Sequence, residues 1–309
     1  MPFLQLDMLC PSGTDGMAPA REGAQALAPE AVEAACFAAG ALSVTLTDAA
    51  DTPIFEPELN TTPLWPQVRI SALFDANADR AAILHMLESE LGAPAPPGTF
   101  TEIADRAWER EWLADFHPMR FGRRLWICPH EQRVDARDAT IVRLDPGLAF
   151  GTGTHPTTAL CLEWLDGAAL EGREVIDYGC GSGILAIAAL KLGARRAFCI
   201  DHDPQALLAT RENAQRNEVE GRVATMTPED AAALNPAPVV LANILASPLI
   251  ELAPRLQRLT APGGHLVLSG ILTEQADAVA AAYRPWIEME PAVRREDWVR
   301  LHGVRSCKT

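Results

Sequence analysis

Asp177, the glycines that follow it, Asp201, Thr158 and Asn243 have the types and spacing to hold a nucleotide-like ligand next to an amine. The run Val175 to Gly183, V-I-D-Y-G-C-G-S-G, ends an apolar segment on Asp177. It then sets Gly179, Gly181 and Gly183 at alternate positions ahead of the apolar stretch Ile184 to Leu192. Bare backbone at a strand end, beside the amides of a helix N-terminus, lets such a ligand approach closely. Asp201 closes a second apolar segment, Ala197 to Ile200, eighteen residues beyond Gly183. An acid about twenty residues past a glycine turn suits the two hydroxyls of a ribose. Asp203, directly before Pro204, reads instead as the N-cap of a helix that Pro204 begins. A dinucleotide fingerprint needs glycine at its first, third and sixth positions, and the sixth from Gly179 is Ile184; no Gly-Lys-Ser/Thr phosphate loop occurs. Taken alone, the run also fits a glycine-rich turn with no ligand.

Two further segments are expected at the same strand ends. Leu144 to Thr158, L-D-P-G-L-A-F-G-T-G-T-H-P-T-T, places Pro156 at a first helical position with Thr157 and Thr158 in the first turn. Their hydroxyls and the free amides there suit the carboxylate or amine of an amino-acid ligand; a plain capped helix is the alternative. Phe150 suits either a cover over the ligand or a core position. Val239 to Leu245 is an apolar strand ending at Asn243, whose carboxamide can accept a hydrogen bond from an amine. Enzymes that methylate amides or adenine commonly carry Pro-Pro-aromatic after this Asn. Here Ile244-Leu245-Ala246 follows, which disfavours a planar nitrogen substrate that stacks.

These residues need elements to position them. In the first hundred residues, Leu4, Leu6 and Met8 alternate with polar residues, as do Leu42, Val44 and Leu46, and Val68, Ile70, Ala72 and Phe74. Helices are expected over Pro29 to Ala39 and from a cap at Asn77 or Asp79 to Leu91, with a last strand over Thr99 to Ile103. That β-α-β-β-α-β order is ferredoxin-like. Pro11 to Ala28 and the proline-rich Pro53 to Pro66 read as irregular loops. From Asp105 to Pro129, Trp108, Trp112 and Phe116 fall at helical spacing and predict a connecting helix with a packing stripe. Beyond it, strands ending near Asp177, Asp201, Thr227, Asn243 and Ser269 alternate with helices, which predicts a doubly wound, mostly parallel α/β sheet. Trp286 to Glu290 and Trp298 to Val304 predict an antiparallel hairpin at its edge. The expected division is 1–104, a ferredoxin-like α+β domain; 105–130, a connector; and 131–309, the doubly wound domain.

Bulk properties bound the possibilities. With 309 residues and 48% hydrophobic content the chain can bury two cores. No apolar run of about eighteen residues occurs, so no membrane span is expected. Met1-Pro2-Phe3 lacks the basic start of a signal peptide. Seven cysteines without a Cys-x-x-Cys pair read as buried thiols of a reducing cytoplasm, and the histidines are scattered without metal-ligand spacing, so no metal is expected. A net charge of −15 repels nucleic-acid backbones and suits a basic protein partner. Arg120, Arg123 and Arg124, the densest basic cluster, read as a solvated face.

Asp-x-Gly-x-Gly-x-Gly resembles the first motif of class I S-adenosylmethionine-dependent methyltransferases. The combination L-D-P-G-L-A-F-G-T-G-T-H-P-T-T, D-Y-G-C-G-S-G-I-L-A-I-A, I-D-H-D-P-Q-A, A-N-I-L and W-E-R-E-W-L-A-D-F-H-P-M-R-F-G resembles the ribosomal protein L-eleven methyltransferase family. The resemblance spans essentially the whole chain except the Pro11 to Ala28 loop. It implies a substrate-recognition domain, a flexible connector and a Rossmann-like class I methyltransferase domain. It further implies S-adenosyl-L-methionine as cofactor, held by Thr158, Gly179, Gly181, Asp201 and Asn243, and ribosomal protein L-eleven as substrate, methylated repeatedly on lysine and N-terminal amines. Where the family usually has an apolar residue between the two acids, this chain has His202. A cytoplasmic monomer with no direct nucleic-acid binding is expected. No histidine or carboxylate stands out as an obligatory base, so the catalytic residues stay unassigned. A nucleic-acid or small-molecule methyltransferase and a non-enzymatic binding module remain as alternatives.

Overall fold

The computed structural model describes residues 3–11, 27–50, 52, 54, 63–103, 117–130, 132–144 and 153–307. The chain divides into two units, 1–108 and 109–309.

Alternation builds the first unit. In β1 (Phe3–Pro11) every second residue, Leu4, Leu6, Met8 and Cys10, is buried, and in β3 (Gln67–Asp75) Val68, Ile70, Ala72 and Phe74 are buried. A period of two puts each set on one sheet face. That face packs against α1 (Pro29–Ala38), through Val32, Ala35 and Cys36, and against α2 (Arg80–Leu91), through Ile83 and Leu87. Of the two candidate caps, Asp79 is the one used: its carboxylate accepts from the Ala81 amide at 2.9 Å. With β2 (Ser43–Asp48) and β4 (Gly98–Ile103) the sheet order is β2-β3-β1-β4, antiparallel throughout, the ferredoxin-like arrangement expected from the element order.

The second unit is built on β8 (Glu174–Tyr178), β9 (Arg196–Ile200), β10 (Val223–Met226), β11 (Ala237–Asn243), β12 (Thr260–Leu272), β13 (Ile287–Met289), β14 (Val293–Arg295) and β15 (Trp298–Arg305). The order is β10-β9-β8-β11-β12-β15-β13, with β14 paired to β15. Pairings from β10 to β12 are parallel, and those of β15 are antiparallel. Alternate residues serve two cores: Val175, Val239 and Leu241 face α3 (Pro156–Gly167) and α4 (Ile184–Lys191). Ile176, Tyr178, Val240 and Ala242 face α6 (Ala246–Glu251), α7 (Ala253–Leu259) and α8 (Ala276–Tyr283). Helices on both faces of a mostly parallel sheet make it doubly wound. Between β9 and β10 runs α5 (Pro204–Arg216), capped by Asp203, which accepts from Gln205 N at 2.8 Å as the sequence predicts.

The connecting helix expected over Asp105 to Pro129 needs correction in its second half. Residues 104–116, including Trp108, Trp112 and Phe116, lie outside the described residues. Met119–Phe121 and Leu125–Cys128 are strands, β5 and β6, forming an antiparallel hairpin that β7 (Thr140–Arg143) extends in parallel. Two features shape the hairpin: Gly122 takes φ +70, and the carboxylate of buried Asp166 on α3 accepts from the amides of Arg123, Arg124 and Leu125 at 2.6, 3.2 and 3.0 Å. The arginine cluster is thereby pinned by its backbone; the Arg124 side chain, half-exposed, also reaches Asp166 at 3.8 Å.

All seven cysteines are unpaired; six are buried, and Cys307 is exposed. Among the described residues no helix is long and apolar enough to cross a membrane.

Replacing Asp166 with alanine strands three amides that now share one carboxylate. An unsatisfied buried donor costs about 1–3 kcal/mol, so D166A is expected to lower unfolding free energy by roughly 3 kcal/mol in urea titrations, against little change for D277A on the exposed start of α8.

Candidate functional site

The strand order reverses at β8, with β9 on one side and β11 on the other, and ligands in such sheets bind beyond the strand ends at that point. The turn leaving β8 is left-handed at three positions, Gly179 (φ +76), Gly181 (φ +54) and Gly183 (φ +77). A Cβ on Gly179 would lie 2.3 Å from Ile244 Cγ2, and one on Gly183 would lie 2.8 Å from Thr210 Cγ2. Conformation and packing therefore both require glycine here. Two side chains of α5 fix the turn from behind: Thr210 Oγ1 donates to Gly181 O at 2.9 Å, and Asn213 Nδ2 donates to Ser182 O at 2.9 Å.

Asp201, at the tip of β9, is 8% exposed. Its Oδ2 accepts from Gly181 N at 3.0 Å and its Oδ1 from Asp203 N at 3.0 Å. The neighbouring His202 is almost fully exposed, with Nδ1 3.5 Å from Asp201 Oδ1. Asp177 is fully buried; its Oδ2 accepts from Ala186 N at 3.1 Å, while Oδ1 has no partner. Desolvation, reinforced by the charge of Asp201 and opposed by the Ala186 hydrogen bond, pushes its carboxyl up to about 7.

On the other side, His155 caps α3, with Nδ1 accepting from Thr157 N at 3.4 Å and lying 2.7 Å from Thr157 Oγ1. Burial lowers the His155 pKa, against a smaller opposing effect of Glu296, which favours the neutral ring able to accept at Nδ1. The Trp298 ring meets it edge-on at 4.9 Å. Asn243 Nδ2 donates to Thr158 Oγ1 at 3.3 Å, and Ser269 Oγ donates to Thr157 O at 3.1 Å.

These groups surround a cavity of about 730 Å³. Of the residues singled out from sequence, Gly179, Asp201 and Asn243 line it. Thr158 is buried behind Asn243, and Gly181 reaches the cavity through Asp201; Thr157 faces it in place of Thr158. Residues 145–152, with Phe150, lie outside the described residues. Sequence reasoning missed His155, Tyr178, Arg255, Gly270 and Trp298 as wall residues. Arg255 stacks over Tyr178 at 5.6 Å and donates to Pro228 O, bracing the apolar end. Gly270, at φ +85, lets the backbone of Ile244 approach, since a Cβ there would sit 2.2 Å from Ile244 O. His155 is the one with a local signal, its place before Pro156; the rest come from distant segments.

The Asp177 shift has a readout. Its folded pKa lies above the ordinary value of 3.8, so the folded protein holds a proton that the unfolded chain releases. Below about pH 4 both states are protonated and there is no penalty. As pH rises from about 4 to about 7, the stabilisation from this group is lost, on the order of 4 kcal/mol. The unfolding free energy of D177N minus that of wild type should climb across this window and level off above it. A difference that stays constant with pH would contradict the assignment.

Comparison with known proteins agrees with this geometry. The family described as ribosomal protein L11 methyltransferase (PrmA) matches residues 23–306. A protein of Pseudomonas aeruginosa (strain LESB58) named ribosomal protein L11 methyltransferase is 55% identical over 279 residues, 90% of this chain and 95% of its own. One of that name from Cellvibrio japonicus (strain Ueda107) is 49% identical over 306 residues, 99% of each chain. The crystal structure of ribosomal protein L11 methylase from Lactobacillus delbrueckii subsp. bulgaricus superposes with a TM-score of 0.57 at 33% identity, over 62% of this chain and 100% of that one. By the match along its length and the site it builds, this chain belongs to the ribosomal protein L11 methyltransferase family.

Proposed function

We propose that this chain is a cytoplasmic protein N-methyltransferase, monomeric and free of direct nucleic-acid contact, that transfers methyl groups from S-adenosyl-L-methionine to lysine and N-terminal amines of ribosomal protein L11. The observation that carries the reading is the convergence of Gly179, Asp201 and Asn243 on one cavity at the switch point of the sheet, in a chain of this family. The donor set fits the cofactor. Each oxygen of Asp201 has one backbone amide and so retains a second acceptor direction, suiting two adjacent sugar hydroxyls. Gly179 leaves backbone bare where a side chain would intrude, and the Gly181 amide holds Asp201 in place.

When bound, S-adenosylmethionine supplies a methyl group activated by a sulfonium, which leaves the protein to align and deprotonate the amine. A lysine with an ordinary pKa of about 10.4 is almost wholly cationic at neutral pH. The apolar wall of Tyr178, Ile244, Leu245 and Trp298 disfavours that charge by desolvation. Asn243 orients the neutral amine: with Nδ2 engaged by Thr158, its carbonyl oxygen is turned to accept an N–H. Thr158 is thus a positioning residue, and His155 keeps the first turn of α3 in register behind it. The −15 charge suits a basic substrate. Residues 1–104 recognise that substrate, and 105–130 connect them to the methyltransferase domain, 131–309.

Incubating the purified chain with ribosomal protein L11 and labelled S-adenosylmethionine should yield methylated amines by mass spectrometry; absence of transfer to any amine of L11 would refute the reading. D201A removes two charge-assisted hydrogen bonds worth about 1.5 kcal/mol or more each, and should weaken calorimetric cofactor affinity roughly 100-fold. A chain lacking residues 1–104 should keep cofactor affinity but lose methylation of L11.

A further inference from the structure

A second cavity, of about 500 Å³, is lined by Glu163, Trp164, Arg173, Val239, His265, Arg300 and His302 among others. It belongs to the same unit yet lies apart from the first. Asn243 pairs with Ser269 at the first cavity, and Val239 pairs with His265 here, four residues back along β11 and β12. At about 3.3 Å per residue, roughly 13 Å of strand separates them.

The charges here are unbalanced. The two carboxylates nearby are engaged: Glu163 by Arg295 at 3.2 Å, and Glu290 by His302 Nδ1 at 3.0 Å. Arg173 and Arg300 have no carboxylate partner among the described residues. Arg300 Nη1 donates to Leu160 O at 3.0 Å, but its Nε is buried without an acceptor. A buried, unsatisfied donor is costly, more so on a charged group. Arg300 feels the charges of Glu163 and Glu290 without contacting either, and its unpartnered Nε, together with Arg173 beside an open cavity, suits an oxyanion from outside.

We propose that this cavity binds an oxyanion, the phosphate or carboxylate of a small molecule, between Arg173 and Arg300 and against the Trp164 ring. A forked guanidinium suits such a group, donating two parallel hydrogen bonds. The imidazoles add a proton dependence. His302 Nδ1–H donates to Glu290, so its Nε2 accepts from His265 Nδ1–H across 3.1 Å. That leaves His265 Nε2 to take the next proton. The pKa of His265 is lowered by burial and by the neighbouring His302 and Arg173, against a smaller opposing effect of Glu290. A bound oxyanion offsets the repulsion from Arg173, so binding and protonation of His265 favour each other. The charged groups facing the pair are Glu163 with Arg295, Arg173, Glu290 and Arg300. No change of ligand charge is required, so sulfate serves as a probe whose own charge stays constant with pH.

The test is calorimetry of the full chain with sulfate, inorganic phosphate and acetate as separate titrants, at fixed ionic strength in sodium chloride. Saturable binding is expected, with phosphate over acetate marking a phosphoryl ligand and the reverse a carboxylate. Sulfate should bind roughly 5-fold tighter near pH 5.5 than near pH 7.5, a window placed below the ordinary histidine range because the His265 pKa is lowered. H265N should bind sulfate with that pH dependence removed. Affinity should fall at least roughly 10-fold in R173Q and in R300Q. R173Q carries the test even if R300Q fails to fold, because the Arg173 side chain makes no hydrogen bond to another side chain or backbone group among the described residues. Absence of saturable binding by all three anions, or binding unchanged in R173Q, overturns the proposal.

Discussion

The site depends on a turn that no side chain can enter. Between β8 and α4 the chain reverses through three left-handed glycines, and neighbouring elements are packed against the space this leaves. Ile244 Cγ2 lies where a Cβ of Gly179 would be, and the backbone of Ile244 lies where a Cβ of Gly270 would be. The residue after Asn243 is thus clamped between two bare stretches of backbone from β8 and β12. That clamp sets Asn243 at the rim of the cavity, where Thr158 can hold its amide. The amide of Gly181 in turn holds Asp201. A single methyl group at either clamping glycine would collide with Ile244 and so disturb the neighbouring Asn243.

Two acids share this corner, and their surroundings separate them. Asp177 is sealed beneath the turn with one oxygen unpartnered, and desolvation lifts its carboxyl toward neutrality. Asp201 lies at the surface of the cavity with an amide on each oxygen. For Asp177 the single hydrogen bond from Ala186 N does not offset desolvation, which favours the neutral form. The acid that opens the glycine motif is therefore a structural group beneath the turn. The acid twenty-four residues beyond Asp177, Asp201, lines the cavity.

How much of this was legible in the sequence follows from how local each signal is. Period-two alternation in β1 and β3 and the Asp203-Pro204 cap are written within a few residues, and the structure matches them. Asp201 and the glycines were legible for the same reason, as they sit on one short strand-turn-helix-strand stretch. The hairpin of β5 and β6 was hidden because aromatic residues at helical spacing upstream were carried too far along the chain. Gly122 and the carboxylate of Asp166, forty-odd residues away, decide its shape. Thr157 and Thr158 were indistinguishable in sequence. Adjacent residues on a helix point about 100° apart, so one faces the cavity and the other lies behind Asn243. Tyr178, Arg255 and Trp298 meet only in the folded sheet, and no spacing rule joins them.

The wall residues also explain how the chain manages without an aromatic after Asn243. That aromatic is replaced in space, not in sequence, since Trp298 reaches the same cavity from β15, which runs antiparallel beside β12. A strand that adds late in the chain, next to the last parallel strand, can deliver a ring to the cavity that Ile244 also lines. The space between them is apolar and open, whereas a ring stacked directly after Asn243 would make it a flat slot. A tetrahedral amine suits the open space; a planar base or amide suits the slot. The antiparallel edge of the sheet accordingly supplies a wall of the cavity, through a residue fifty-five positions beyond Asn243.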